Sequence, residues 1–106
     1  MANTERILRH VVLFKFKDDT SAGDIKAVED AFRALPAEID LIRDFEWGVD
    51  VSVEGIAQGF THCFFLTFAS AADRDAYLPH PAHTRFGELV RPFLDKVLVI
   101  DYWAER

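Results

Sequence analysis

The alternation of apolar and polar residues divides the chain into six or seven elements. Residues 6–17, RILRHVVLFKFK, read as a strand, with Leu8, His10, Val12, Phe14 and Phe16 on one face and Val11, Leu13, Lys15 and Lys17 on the other. The turn DDTSAGD follows, and Thr20 or Ser21 is placed to cap a helix. Ile25, Val28, Phe32 and Leu35 then recur at helical spacing, and Pro36 is expected to end the run. Residues 41–53, LIRDFEWGVDVSV, alternate again, with Phe45, Trp47, Val49, Val51 and Val53 on one side. Trp47 reads as an apolar-face residue, and Gly48 suggests a bulge or a close backbone approach. After the glycine-punctuated loop EGIAQG, residues 60–68 form a third strand. Ser70, with Asp73 three residues on, opens a short helix to about Leu78. Pro79 and Pro81 break the chain. A further helix then carries Phe86, Leu89, Val90, Phe93 and Leu94, interrupted near Pro92, and residues 96–103 form a last strand.

This order, β-α-β-β-α(α)-β, predicts an α+β ferredoxin-like fold: an antiparallel sheet with helices on one face. The first, third and fourth strands are apolar on both sides, whereas the helices can cover only one. A second copy packed sheet to sheet is the simplest cover, so a homodimer is expected.

The length of 106 residues fits a single domain spanning 1–106. The formal charge of −6 argues against binding nucleic acid through phosphates. QGFTHCFFLTF has a superficial likeness to the aromatic strand of an RNA-recognition motif, but no basic residue precedes Gly59 and the aromatic spacing differs. No apolar run reaches the length of a membrane span, and MANTERILRH lacks a signal-peptide core, so a cytoplasmic protein with no membrane partner is expected. Cys63, the sole cysteine, reads as a small buried hydrophobe.

The chemistry concentrates in YLPHPAH, residues 77–83, which holds two of the four histidines and one of the two tyrosines. Pro81 suits the first position of a helix, which makes His80 its N-cap and places His83 in the first turn. The positive end of the helix dipole disfavours a protonated imidazole there. A neutral His83 is a base, and Tyr77 across the turn is a hydroxyl donor. The same stretch also reads as a stiff corner whose rings cap helix ends and bond backbone. His80 and His83 supply two nitrogens, but no neighbouring cysteine or carboxylate pattern completes a metal site. His10 and His62 lie on apolar strand faces and need hydrogen-bond partners if buried. Either they line a pocket with Tyr77 and His83, or they are satisfied core or interface residues.

RHVVLFKFKDDTS, FEWGVDVS, EGIAQGFTHCFFLTFAS and DRDAYLPHPAHTRF, in this order, closely resemble the stress-responsive α/β-barrel (Dabb) domain family. The resemblance covers about Arg9 to Tyr102 and implies a ferredoxin-like fold paired sheet to sheet into a dimeric barrel. One plant branch, olivetolic acid cyclase, closes a linear polyketide by an aldol reaction without a cofactor. By that resemblance His83 and Tyr77 are the acid/base pair, and His10 and His62 are pocket histidines; His80 and Trp47 complete the set of candidate pocket residues. Positions that shape the cyclase pocket differ here and include Phe32, Phe64 and Phe65. The implied function is cofactor-independent chemistry on, or binding of, a small apolar carbonyl compound. The alternatives are a non-catalytic stress or assembly protein and a relative of the dimeric-barrel haem-degrading oxygenases, which would require one of these histidines to reach iron.

Overall fold

A computed structural model describes residues 6–105. Residues 1–5, part of the stretch read above for a leader, lie outside them. The elements are β1 (Leu8–Phe16), α1 (Ala22–Glu38), β2 (Asp44–Val49), β3 (His62–Phe68), α2 (Ala71–Tyr77), α3 (Pro81–Val90), a 3₁₀ turn (Arg91–Phe93) and β4 (Leu94–Trp103). The strands form one antiparallel sheet in the order β2-β3-β1-β4. This is the expected α+β ferredoxin-like fold.

The register fixes the faces. Val12 stands opposite Phe64 and Val99, and Phe14 opposite His62 and Val97. These side chains share the helix side, where Val12, Phe14, Phe64, Leu66 and Phe68 pack with Val28, Phe32 and Leu35 of α1, Tyr77 of α2 and Phe86 and Val90 of α3. The alternation therefore does in the fold what it suggests in the sequence: every second residue of β1 is buried. On the other side Val11 stands opposite Phe65 and Ile100, and Leu13 opposite Cys63 and Leu98. None of the helices among the described residues covers that face, and Leu98, Ile100 and Tyr102 remain exposed.

The helix starts follow their caps. Ser21 Oγ accepts the Asp24 N–H at 3.1 Å, and Ser70 Oγ accepts the Asp73 N–H at 3.1 Å. Pro36 does not end α1, which runs on to Glu38; the Ile39 N–H closes on the Leu35 carbonyl at 2.8 Å. A proline so near the C-terminus removes one helix bond but leaves few turns to disrupt.

β2 is shorter than the alternation predicts. It stops at Val49, because beyond the Asp50 N–H bond to the Thr61 carbonyl (2.8 Å) no strand among the described residues lies alongside. Val51 and Val53 are thus outside the sheet and exposed. Gly48 makes neither a bulge nor a close approach: it pairs regularly with Cys63, and a Cβ there would meet nothing within 4 Å. The glycine with a steric reason is Gly59, at φ +86°, where a Cβ would stand 2.7 Å from Lys15 Cε. Leu89, one of the apolar residues carried by this helix, is exposed on α3. Cys63 is only half-buried on the uncovered face, and burial, reinforced by the Glu46 carboxylate, pushes its thiol up, away from the reactive thiolate. None of the helices among the described residues is long and apolar enough to cross a membrane.

Candidate functional site

A cavity of about 510 Å³ opens between α2, α3 and the helix side of β1 and β4. Its polar lining includes His10, Tyr77, His83 and Asp101, set among apolar residues such as Phe14, Phe32 and Phe86.

His83 comes from the start of α3. Pro81 occupies the first turn, and His80 caps the helix by accepting the Ala82 N–H on Nδ1 at 3.1 Å. His83 Nδ1 lies 2.9 Å from the Leu78 carbonyl oxygen. A carbonyl only accepts, so Nδ1 carries the proton and Nε2 carries the lone pair. Burial lowers the His83 pKa; the Leu78 bond opposes this, and His10 and His80 add to the lowering. The ring is therefore held neutral with one basic nitrogen.

Tyr77 ends α2, with its ring centroid 4.5 Å from that of His83 and 5.9 Å from that of His10. Its side chain is almost wholly buried, which pushes the phenol pKa up and keeps the O–H intact. The hydroxyl has no hydrogen-bond partner among the described residues, yet none of their buried polar side-chain atoms is orphaned. Its oxygen accordingly opens on the cavity that Tyr77 lines.

His10 is buried on β1, and its Nδ1 lies 2.6 Å from Asp101 Oδ1 on β4. Asp101 Oδ2 in turn accepts from Arg74 Nη1 at 2.9 Å. A carboxylate in that position accepts from both neighbours, so His10 donates from Nδ1 and its Nε2 is the free nitrogen. The sequence reading did not single out Asp101 or Arg74. The available signal was a lone acid in the apolar run KVLVIDYW, on the same parity as Val97 and Val99. Only the register, which sets Asp101 opposite His10, gives it a role.

We predict that Asp101→Ala lowers unfolding stability in urea by about 1–3 kcal/mol, because it strands the buried Nδ1–H of His10. Arg74→Ala should lower it by less than ~1 kcal/mol, as expected of a partly exposed ion pair. Equal losses in the two variants would contradict this ordering.

The remaining candidates lie elsewhere. His62 sits toward the other end of the sheet, with Nε2 2.7 Å from Glu29 Oε2 and Nδ1 2.8 Å from Thr61 Oγ1. Both of its nitrogens are engaged, and Trp47 stacks on it with centroids 6.0 Å apart. His62 borders a smaller cavity of about 270 Å³; neither Trp47 nor His80 borders the larger one. The structure thus gathers His10, Tyr77 and His83 and separates His62, Trp47 and His80 from them. Among the described residues, no three His, Cys, Asp or Glu side chains are grouped to hold a metal ion. Of the bulky phenylalanines, Phe32 lines the cavity, Phe64 is core, and Phe65 faces the uncovered side.

The profile of the Stress Responsive A/B Barrel Domain (Dabb) matches residues 8–104. The chain belongs to the Dabb family. It is 42% identical over 95 residues to the stress-response A/B barrel domain-containing protein HS1 of Arabidopsis thaliana, covering 90% of this chain and 87% of that one. It is 33% identical over 95 residues to olivetolic acid cyclase of Cannabis sativa, covering 90% and 94%. Among solved structures, the hydroxynitrile lyase of Passiflora edulis superposes with a TM-score of 0.90 at 28% identity, covering 96% of each chain. A dimeric ferredoxin-like protein of unknown function from Bacteroides fragilis superposes with a TM-score of 0.73 at 27% identity, covering 91% of this chain and 94% of that one. Homodimeric ferredoxin-like assembly is typical of homologues of solved structure.

Proposed function

We propose that this Dabb domain is a homodimer, paired through the uncovered sheet face, whose cavity performs cofactor-independent acid/base chemistry on a small, largely apolar carbonyl compound. One observation carries the reading: a histidine nitrogen with a free lone pair and an unpartnered tyrosine hydroxyl open on the same apolar cavity. His83 Nε2 takes a proton from the carbon beside a carbonyl, or from the hydroxyl of a carbonyl adduct. Tyr77 donates a hydrogen bond to the oxygen on which charge develops. His10, held by Asp101, orients the ligand or a water.

The relatives support this class of chemistry. One is named a cyclase and another a hydroxynitrile lyase. A hydroxynitrile parts into a carbonyl compound and cyanide once its hydroxyl is deprotonated, and an aldol closure starts with deprotonation beside a carbonyl. Both steps need one positioned base and one donor to oxygen, and neither needs a redox group. A purely structural barrel predicts a cavity filled by phenylalanine; the open space beside His83 favours the chemical reading.

The pH dependence follows from His83. Protonation of Nε2 abolishes the base, and the folded pKa lies below the ordinary 6.5. Turnover should stay at its plateau as pH falls through 6.5 and decline only below that. The unfolded chain binds this proton at higher pH than the folded chain does. Lowering the pH through 6.5 therefore also removes stability, which a parallel thermal melt should show. An acid limb centred above 6.5 in the pH–rate profile would assign the base to another group.

A further inference from the structure

The groups placed for proton transfer occupy one end of the larger cavity, and a different kind of group borders the other. β4 runs along the cavity from Asp101, opposite His10, back to Leu94, and α3 runs along it from His83 to Arg91. Four charged residues border the space: Arg91, Asp95, Lys96 and Asp101. Both acids are engaged. Asp101 bonds His10 and Arg74, and Asp95 Oδ2 lies 3.3 Å from Lys15 Nζ. Lys96 stands opposite Lys15, on the parity of Leu98 and Ile100, so it belongs to the uncovered face and reaches the cavity only at its rim. Arg91 is the cation that remains. Among the described residues its guanidinium has no carboxylate partner, and Glu88, one turn back, is exposed and does not pair with it.

Gly87 sets the place of that guanidinium. Arg91 caps α3 in the helical conformation, and its side chain turns back toward the start of the helix, as helical side chains do. A Cβ at Gly87 would stand 3.6 Å from Arg91 Nη2 and meet no other side chain within 4 Å. Gly87 is helical and its φ is not positive, so backbone conformation does not call for glycine here. Glycine inside a helix costs stability relative to alanine. What it supplies is a stretch of bare backbone on the cavity wall, with a guanidinium over it. The guanidinium therefore lies four residues along α3 from His83, ~6 Å of helix rise. A cation at this end of α3 also suits the helix dipole, but a lysine would serve that equally well.

We infer that the carbonyl compound taken by this cavity is an oxo acid, whose carboxylate is held by Arg91 over Gly87 while its carbonyl lies between His83 and Tyr77. A guanidinium offers a carboxylate two parallel N–H groups, which fixes orientation as well as charge. The apolar stretch between the two ends, walled by Phe14, Phe86 and Val97, takes the carbon chain. The spacing suits a short chain, on the order of two or three methylenes, between carbonyl and carboxylate. The inference rests on the reading of this cavity as a site for carbonyl compounds and deepens it; it does not depend on turnover.

The test compares β-benzoylpropanoate, a phenyl ketone with a short-chain carboxylate, with its methyl ester in calorimetric titrations of the full chain. The parent protein should bind the acid roughly tenfold more tightly than the ester, the contribution of one charge-assisted pair. Arg91→Gln should bring the two to within about twofold. Arg91→Lys should keep only part of the preference, because an ammonium is a point charge without the planar fork. Gly87→Asp is a second, independent variant. Its carboxylate, four residues before Arg91, pairs with the guanidinium and should remove the preference while raising the melting temperature. Equal affinities for acid and ester in the parent, or a preference that survives in either Arg91→Gln or Gly87→Asp, overturns the inference. Deuterium exchange beside the ketone reads the chemistry separately. An acid preference that depends on Arg91, without exchange that depends on His83, keeps the oxo-acid site and ends the acid/base reading. Binding of neither compound overturns both.

Discussion

Replacing His83 by alanine is expected to lower turnover by roughly 10²–10⁴-fold, the usual contribution of a positioned general base. Two probes suit the cavity: deuterium exchange beside the carbonyl of a small aryl ketone, and aldehyde release from an aromatic hydroxynitrile. Both report proton transfer without requiring the natural substrate. The loss should appear in kcat, with binding of the ketone little changed, because the imidazole acts on the reacting proton and the aromatic walls hold the ligand. Tyr77→Phe keeps the ring packed against His10, Phe68 and His83 and removes only the hydroxyl. It should lower kcat by roughly 10²-fold or more if that oxygen meets the developing charge. His80→Ala is the informative control. It removes an N-cap and so about 1 kcal/mol of stability, but it lines no part of the cavity and leaves the His83 bond to the Leu78 carbonyl in place. Turnover indifferent to both His83→Ala and Tyr77→Phe, with the fold intact by circular dichroism, would end the acid/base reading.

The legibility of this chain follows from the range of the forces involved. β1 is readable because period-2 alternation is local and its buried face is continuous. The caps at Ser21, Ser70 and His80 are readable because each joins a side chain to a backbone N–H two or three residues away. The His80–Pro81–His83 corner combines a cap and a proline at a first turn, so its geometry too is local. What sequence could not place is set by pairings between distant positions. His10 meets Asp101 across β1 and β4, and His62 meets Glu29 from β3 to α1. Strand register decides the first, and the way α1 lies on the sheet decides the second; neither leaves a periodic trace. That is why His10 and His62, alike in their strands, end in different places. One borders the cavity with a free nitrogen, and the other has both nitrogens engaged.

The overextended reading of β2 has a different origin. The alternation through Val53 is real, but a strand needs a neighbour, and the described residues of the chain offer none past Thr61. Pattern reports what a segment is suited to pair with, not whether the partner lies in the same molecule. Pro36 shows the reverse limit: propensity places a boundary there, and tertiary contacts of Leu35 and Ile39 carry α1 past it.

Phe32→Ala should have the largest effect on stability and should also change ligand preference. The Phe32 ring is 2% exposed, stacks on Phe64 at 4.1 Å and contacts Phe86 at 4.6 Å. Truncating such a side chain costs about 3–5 kcal/mol. Small domains hold only about 5–15 kcal/mol in total. The melting temperature should therefore fall by roughly 12 °C or more, at about 4 °C per kcal/mol. Phe32 also lines the cavity, so the space it vacates joins the site. Each further methylene buried there is worth about 0.8 kcal/mol to a ligand. In a series of ketones with lengthening alkyl tails, the tightest-binding member should shift to a longer chain than in the parent protein. The two readouts separate stability from site. If the melt falls as expected while the chain-length preference stays fixed, Phe32 belongs to the core alone and the ligand lies elsewhere. If both move together, the ring that completes the core also sets the depth of the pocket facing His83 and Tyr77.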